Sequence, residues 1–314
     1  MYPAGEPYDH GMLAVGDGQR LYWETCGTPG GKPAVVLHGG PGSGATPHWR
    51  RFFDPGRYRV VLLDQRGAGR STPSVQNLAT DLSVNTTAHL VGDLEVLREH
   101  LGIGRWLVLG GSWGATLGLT YAVQHPERVS ELVLFAVTTT RRRDVDHLTH
   151  GVGRYFPEAY ARLAAGLPEK DRRGDLTAAY ARLLAAADPD VRTGAAAEWC
   201  AWEEAIVALE EDTAPSARYA DPGFRYGFAR LVTHYFSNAA FQADDAIVGH
   251  LGRLHGIPGV LVHGRLDLAG PADTAWAIAQ AWPDAQLVIL GGVGHAGAQA
   301  MDEAVVAATD RFAG

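Results

Sequence analysis

The sequence predicts an α/β fold, a mostly parallel central sheet flanked by helices and interrupted by a helical insertion, on three observations. Short Val- and Leu-rich runs alternate with helical periods through the first 138 residues, such runs vanish between 139 and 246, and they return from 247 to the end. The expected organisation is one sheet-bearing domain made of 1–138 and 247–314, with a helical domain, 139–246, inserted into it.

The elements follow in order. In "LAVGDGQRLYWET" the Asp17-Gly18 pair separates two strand-like runs, which is a hairpin signal. "AVVLH" (34–38), "RVVLLD" (59–64), "WLVLG" (106–110) and "ELVLFAV" (131–137) are short and almost wholly apolar, as strands covered on both faces must be. Between them Leu90, Leu94, Leu97 and Leu101 form one helical stripe, and Gly102 follows as its C-terminal stop. From 139 the chain turns Ala-, Arg- and Glu-rich, with Pro and Gly breaks. "PGVLVHG" (258–264) and "AQLVILGG" (285–292) then resume the strand pattern, and a helix is expected after each.

Composition narrows the function. With 314 residues, 46% of them hydrophobic, the chain can bury a full-sized core. Its formal net charge of −8 opposes a phosphate-backbone partner, so no nucleic acid is expected. No apolar run is long enough for a bilayer, and "MYPAGEPYDHG" lacks the basic and hydrophobic parts of a signal peptide, so the expectation is a cytoplasmic protein without a membrane partner. Cys26 and Cys200 stand far apart and outside any metal or redox spacing, and no cofactor or metal is expected.

The chemistry is concentrated in "LVLGGSWGATLGL" (107–119). Gly110-Gly111-Ser112-Trp113-Gly114 is a G-x-S-x-G placed where a strand runs into a helix, a sharp turn that lifts the serine hydroxyl clear of the backbone. Without chemistry the same residues would make only a tight strand-to-helix turn. A serine attacks only if a base takes its proton and a third group orients that base. Asp267, in the loop after the 258–264 run, and His295, in the glycine-rich loop after 285–292, supply both in the chain order Ser, Asp, His of an α/β-hydrolase. His263 is the rival base and Asp273 the rival acid, although the first lies in an apolar strand end and the second near a helix start, where each has a structural explanation. The backbone N–H of Trp113 and that of Gly40, in "HGGPGSG" (38–44), are the expected oxyanion donors.

Taken together, "HGGPG", "LLDQRGAGRS", "NTTAHLVGDLEVLREHLGI", "GGSWGATLGLTYAVQHPERV", "WCAWEEA", "HYF" and "HGRLD" resemble the proline iminopeptidases, α/β-hydrolases that remove a single N-terminal residue. The resemblance implies that Ser112, Asp267 and His295 are catalytic, that Gly40 and Trp113 hold the oxyanion, and that the helical insertion caps the active site. It also implies that Glu203, after Trp202, receives the substrate's free amine and that Phe236 lines the acyl pocket. On helical spacing alone, Glu203 and Glu204 read equally well as a solvated helix face.

Three positions depart from the family pattern. Val232 stands where a second amine-binding glutamate is expected, so one of the two carboxylates is missing unless Glu204 or another acid substitutes; Thr138 replaces a phenylalanine, with "HLTH" (147–150) in place of an aromatic cluster; and Gly270 occupies a position that is often cysteine. The expectation is an aminoacyl hydrolase with an altered acyl pocket, acting on a short peptide or an aminoacylated small molecule of polyketide type. An esterase using the same triad and a non-catalytic receptor on the same fold are the competing readings.

Overall fold

The computed structural model describes residues 1–207, 216–295 and 298–314. The chain opens with the antiparallel pair β1 (Asp9–Ala14) and β2 (Arg20–Gly27), followed by β3 (Lys32–Leu37), β4 (Tyr58–Leu63), α1 (Thr87–His100), β5 (Trp106–Gly111), α2 (Trp113–Gln124) and β6 (Val129–Phe135). Helices α3 (Arg142–Asp146), α4 (Pro157–Ala165), α5 (Leu176–Leu184), α6 (Pro189–Val207) and α7 (Pro222–Ser237) come next. The chain finishes with β7 (Gly259–Gly264), α8 (Ala272–Ala281), β8 (Ala285–Leu290) and α9 (Gln299–Phe312). Strands and helices therefore stand where the apolar runs and periods put them, with shifts of a few residues at their ends: β6 starts at Val129 and β5 runs on to Gly111.

One eight-stranded sheet has the order β1-β2-β4-β3-β5-β6-β7-β8. Only β1–β2 and β2–β4 pair antiparallel; the remaining neighbours are parallel. All six residues of β5 and all six of β7 are buried, because helices cover both faces. Alternation sorts the side chains. Val35 and Leu37 of β3 face the core that contains Leu90, Leu94 and Leu97 of α1, whereas Ala34 and Val36 face the one that contains Met301, Val305 and Phe312 of α9.

Helix α1 ends as its stripe predicts. Gly102 takes φ +64°, its N–H reaches the Glu99 carbonyl at 3.0 Å and the Ile103 N–H reaches that of Arg98 at 3.0 Å, which closes the last turn in a Schellman motif. The parallel register matters more for chemistry. Leu37 lies beside Gly110, Gly111 beside Phe135 and Gly264 beside Leu290, so the loops leaving β3, β5, β7 and β8 emerge on one sheet edge. Among the described residues, no helix is long and apolar enough to cross a membrane.

Candidate active site

Strand β5 passes into α2 with no loop, and the one residue between them is Ser112, at φ 55° and ψ −122°. That left-handed geometry costs a serine energy, on the order of 1–3 kcal/mol, and the surrounding packing holds it. Gly114 permits it: a Cβ there would overlap the Leu37 carbonyl, so only glycine lets α2 start this close to β3.

The Ser112 hydroxyl lies 3.0 Å from Nε2 of His295, and Nδ1 of the same ring lies 2.7 Å from Oδ2 of Asp267. Asp267 is buried, and its Oδ1 accepts the Gly270 N–H at 2.8 Å. The carboxylate fixes the ring with its proton on Nδ1, leaving Nε2 to accept from the serine. Burial opposes charge on both partners. For Asp267 it is outweighed by the His295 charge and hydrogen bond, with His263 and the Gly270 N–H adding to them, so the carboxyl is held below its usual range. For His295 the Asp267 charge and hydrogen bond, with Glu203 behind them, outweigh burial and raise the ring's pKa. The three side chains come from segments far apart in sequence and meet in one hydrogen-bonded series.

The rivals sit elsewhere in the hydrogen-bond scheme. His263 is fully buried; its Nδ1 accepts the Val137 N–H at 3.0 Å and its Nε2 donates to the Gly270 carbonyl at 2.8 Å, so neither nitrogen is free to serve as a base. Burial also lowers its pKa and keeps it neutral. Asp273 is in the first turn of α8, with its carboxylate 3.4 Å from Arg143.

Ser112 and His295 open into a cavity of about 260 Å³, which Gly40, Trp113, Glu203 and Phe236 also line. Among the described residues, the backbone N–H groups of Gly40 and Trp113 donate to nothing. Gly40 has φ +114°, and a Cβ there would sit 2.5 Å from the Gly42 nitrogen, so the loop requires glycine.

Helix α6 separates residues that are adjacent in sequence, since neighbours on a helix point about 100° apart. Glu203 faces the cavity, and among the described residues its Oε1 is buried without a hydrogen-bond partner. Burial pushes its carboxyl up to about 7, with His295 and Arg218 pulling it back. Glu204, the expected substitute for a second amine-binding carboxylate, is not among the residues that line the cavity and accepts the Ser216 N–H. Trp202, expected at the substrate, is instead buried edge-on against Tyr160, with ring centroids 6.0 Å apart, and is absent from the cavity wall.

Of the departures, Thr138 and Gly270 do line the cavity. Val232 is fully buried one turn before Phe236 and does not. Sequence reasoning gave no role to His38 and Gln65, which bond to each other and, through Gln65, to the Trp113 indole. The signal for them is their place in "HGGPG" and "LLDQRGAGRS", each just past a buried strand.

The chain matches the family model of the alpha/beta hydrolase fold over residues 32–298. It is 56% identical over 317 residues, covering 100% of this chain and 98% of the other, to a protein of Streptomyces coelicolor named probable proline iminopeptidase. It is 46% identical over 315 residues, 99% of each chain, to the proline iminopeptidase of Xylella fastidiosa strain Temecula1. The solved proline iminopeptidase of Mycobacterium smegmatis shares the fold, with a TM-score of 0.62 at 22% identity over 97% of each chain.

Proposed function

The chain belongs to the proline iminopeptidases of the α/β-hydrolase family, and from that premise we propose that Ser112, His295 and Asp267 carry out removal of an N-terminal proline from peptides. The observation that carries the reading is the series Ser112 Oγ to His295 Nε2 at 3.0 Å and His295 Nδ1 to Asp267 at 2.7 Å, opening into a cavity with Glu203 on its wall.

The substrate's secondary ammonium pairs with the Glu203 carboxylate, whose Oε1 has no hydrogen-bond partner among the described residues. This contact places the prolyl carbonyl over Ser112. His295 takes the hydroxyl proton as Oγ attacks, and Asp267 stabilises the imidazolium that forms. The N–H groups of Gly40 and Trp113 receive the oxyanion. His295 then gives the proton to the leaving nitrogen, the C–N bond breaks and the shortened peptide departs. Water, deprotonated by the same ring, attacks the prolyl ester, and proline leaves with Ser112 restored. Phe236 packs against the pyrrolidine ring, and residues 139–246 act as the cap that closes the cavity over 1–138 and 247–314.

Glu203 distinguishes this reading from an esterase, since a simple ester presents no ammonium to pair with it. The test is a panel of Pro-, Ala- and Gly-arylamides and Pro-X peptides, with Ser112→Ala as control. Turnover led by the prolyl substrates and abolished in Ser112→Ala is expected. Activity surviving that substitution removes the nucleophile assignment, and equal turnover of all three arylamides removes the proline preference.

A further inference from the structure

The expected oxyanion donors are backbone groups, one on the Gly40 loop and one at the first residue of α2, yet an oxyanion site works only if its donors are already aimed when charge develops. Behind them lies a closed set of buried hydrogen bonds centred on Gln65, which is 3% exposed and follows β4. Its side-chain Oε1 accepts the Trp113 indole N–H at 2.9 Å, and its Nε2 donates to the His38 carbonyl at 3.0 Å. Its backbone N–H donates to His38 Nε2 at 3.0 Å.

That last bond fixes a tautomer. A ring nitrogen that accepts cannot carry the proton, and burial lowers the pKa of His38 and keeps the ring neutral, so Nδ1 holds the hydrogen. Nδ1 lies 2.9 Å from the Gly39 carbonyl and donates to it. The Ser43 N–H reaches the same oxygen at 3.2 Å. This carbonyl belongs to the peptide whose nitrogen is that of Gly40. In a trans peptide C=O and N–H point in opposite directions, so holding the Gly39 oxygen towards His38 turns the Gly40 N–H the other way, to the side where Gly40 lines the cavity. Flanked by glycines, this peptide has no side chain of its own to stop it rotating.

We propose that the Gln65 side chain is the positioning group of the oxyanion site, holding the His38 carbonyl and with it the ring that aims the Gly40 N–H, and anchoring the Trp113 end of α2 through its indole. The inference rests on the acyl-enzyme reading above. Gln65 touches neither substrate nor reacting atoms; it joins the Gly40 loop to the start of α2, and the bonds it makes polarise as well as orient them.

The test uses Gln65→Met, which keeps the volume and removes both side-chain bonds, and Trp113→Phe, which removes only the indole donor and leaves the backbone N–H in place. Four readouts are needed: kcat and KM on a prolyl arylamide, affinity for a prolyl boronic acid whose tetrahedral adduct places an oxygen at the donors, affinity for free proline, and Tm. Gln65→Met is expected to lower kcat about 10-fold or more with KM within about twofold, and to weaken the boronate in proportion while proline binding holds. Trp113→Phe is expected to shift the same pair of quantities by a smaller factor and, because it removes one bond of the same set, to add little on top of Gln65→Met. Boronate affinity and kcat unchanged in both variants overturn the proposal, as does a loss of kcat that leaves boronate affinity intact. If Gln65→Met does not fold, Trp113→Phe decides by the same criteria. A Ser112→Ala protein that still turns over substrate overturns the acyl-enzyme reading instead, so the two failures are distinct.

Discussion

Ser112 and His295 on one side and Glu203 on the other line the same cavity, yet their side-chain polar atoms are bonded in opposite ways. On the sheet wall every side chain assigned to chemistry is already bonded: Ser112 to His295, His295 to Asp267, and Asp267 to the Gly270 N–H. On the helical wall Glu203 leaves a buried carboxylate oxygen unpartnered among the described residues. The contrast follows from what each wall must do. Catalysis gains from groups whose orientation is settled before the substrate arrives, whereas recognition of a cation needs a carboxylate that nothing else has neutralised. An unsatisfied buried acid destabilises the free protein, and under the proposed function the substrate ammonium would supply what is missing.

The largest test of this contrast breaks the sheet wall. Asp267→Asn should lower kcat about 10⁴-fold with little effect on KM, because an amide at this place favours the imidazole tautomer that cannot accept the Ser112 proton. A drop of less than about tenfold in steady-state kinetics would mean that the carboxylate does not govern the ring.

Breaking the helical wall should cost less and should touch binding. Glu203→Gln is expected to lower kcat/KM for prolyl substrates by about 10- to 100-fold, the worth of one charge-assisted contact. The same change should stabilise the protein. Folding raises this acid's pKa to about 7, so it opposes folding once pH exceeds its unfolded value of about 4.3, and the penalty is complete above 7. Thermal melts should therefore show Glu203→Gln gaining more Tm over the parent at pH 8 than at pH 5. Equal or lower Tm at both would show that the carboxylate is not under strain.

The pH profile sharpens the comparison further. Below about 7 Glu203 takes up a proton and stops countering the ammonium, and protonation of His295, whose pKa Asp267 raises, adds a second loss on the acid side, so kcat/KM should fall as pH drops. In Glu203→Gln the binding part of that limb disappears. The remaining limb should move to lower pH, because the anion that raised His295 is gone. An acid limb identical in the two proteins argues against coupling between the walls. The smallest effect belongs to Glu204→Ala, whose carboxylate bonds the Ser216 N–H away from the cavity, and kcat/KM should change less than about twofold.

Much of this was legible in the chain, though unevenly. Strands such as 34–38 and 106–110 announce themselves because burial on both faces leaves only apolar residues, and Gly102 marks the end of α1 because only a left-handed residue closes that turn. The elbow is equally local, since the strand, the glycines and the helix that define it are neighbours in sequence. Trp202 and Glu204 were misplaced for a definite reason. A motif names residues in a row, while a helix distributes a row around its axis, and only packing decides which side faces the cavity. Gln65 was invisible because its partners, His38 and Trp113, are 27 and 48 positions away.

The sequence by itself determined the strand and helix segments, the sharp turn at Ser112 and the kinds of side chain at the loop ends, because these depend on backbone preferences and periodicities a few residues long. Tertiary structure decided that Ser112 meets His295 across 183 positions, that Glu203 and not Glu204 lines the cavity, and that Gln65 ties the His38 loop to α2. Those outcomes depend on which strands lie side by side and which helix face is covered, and such choices are made by the packing of the whole chain.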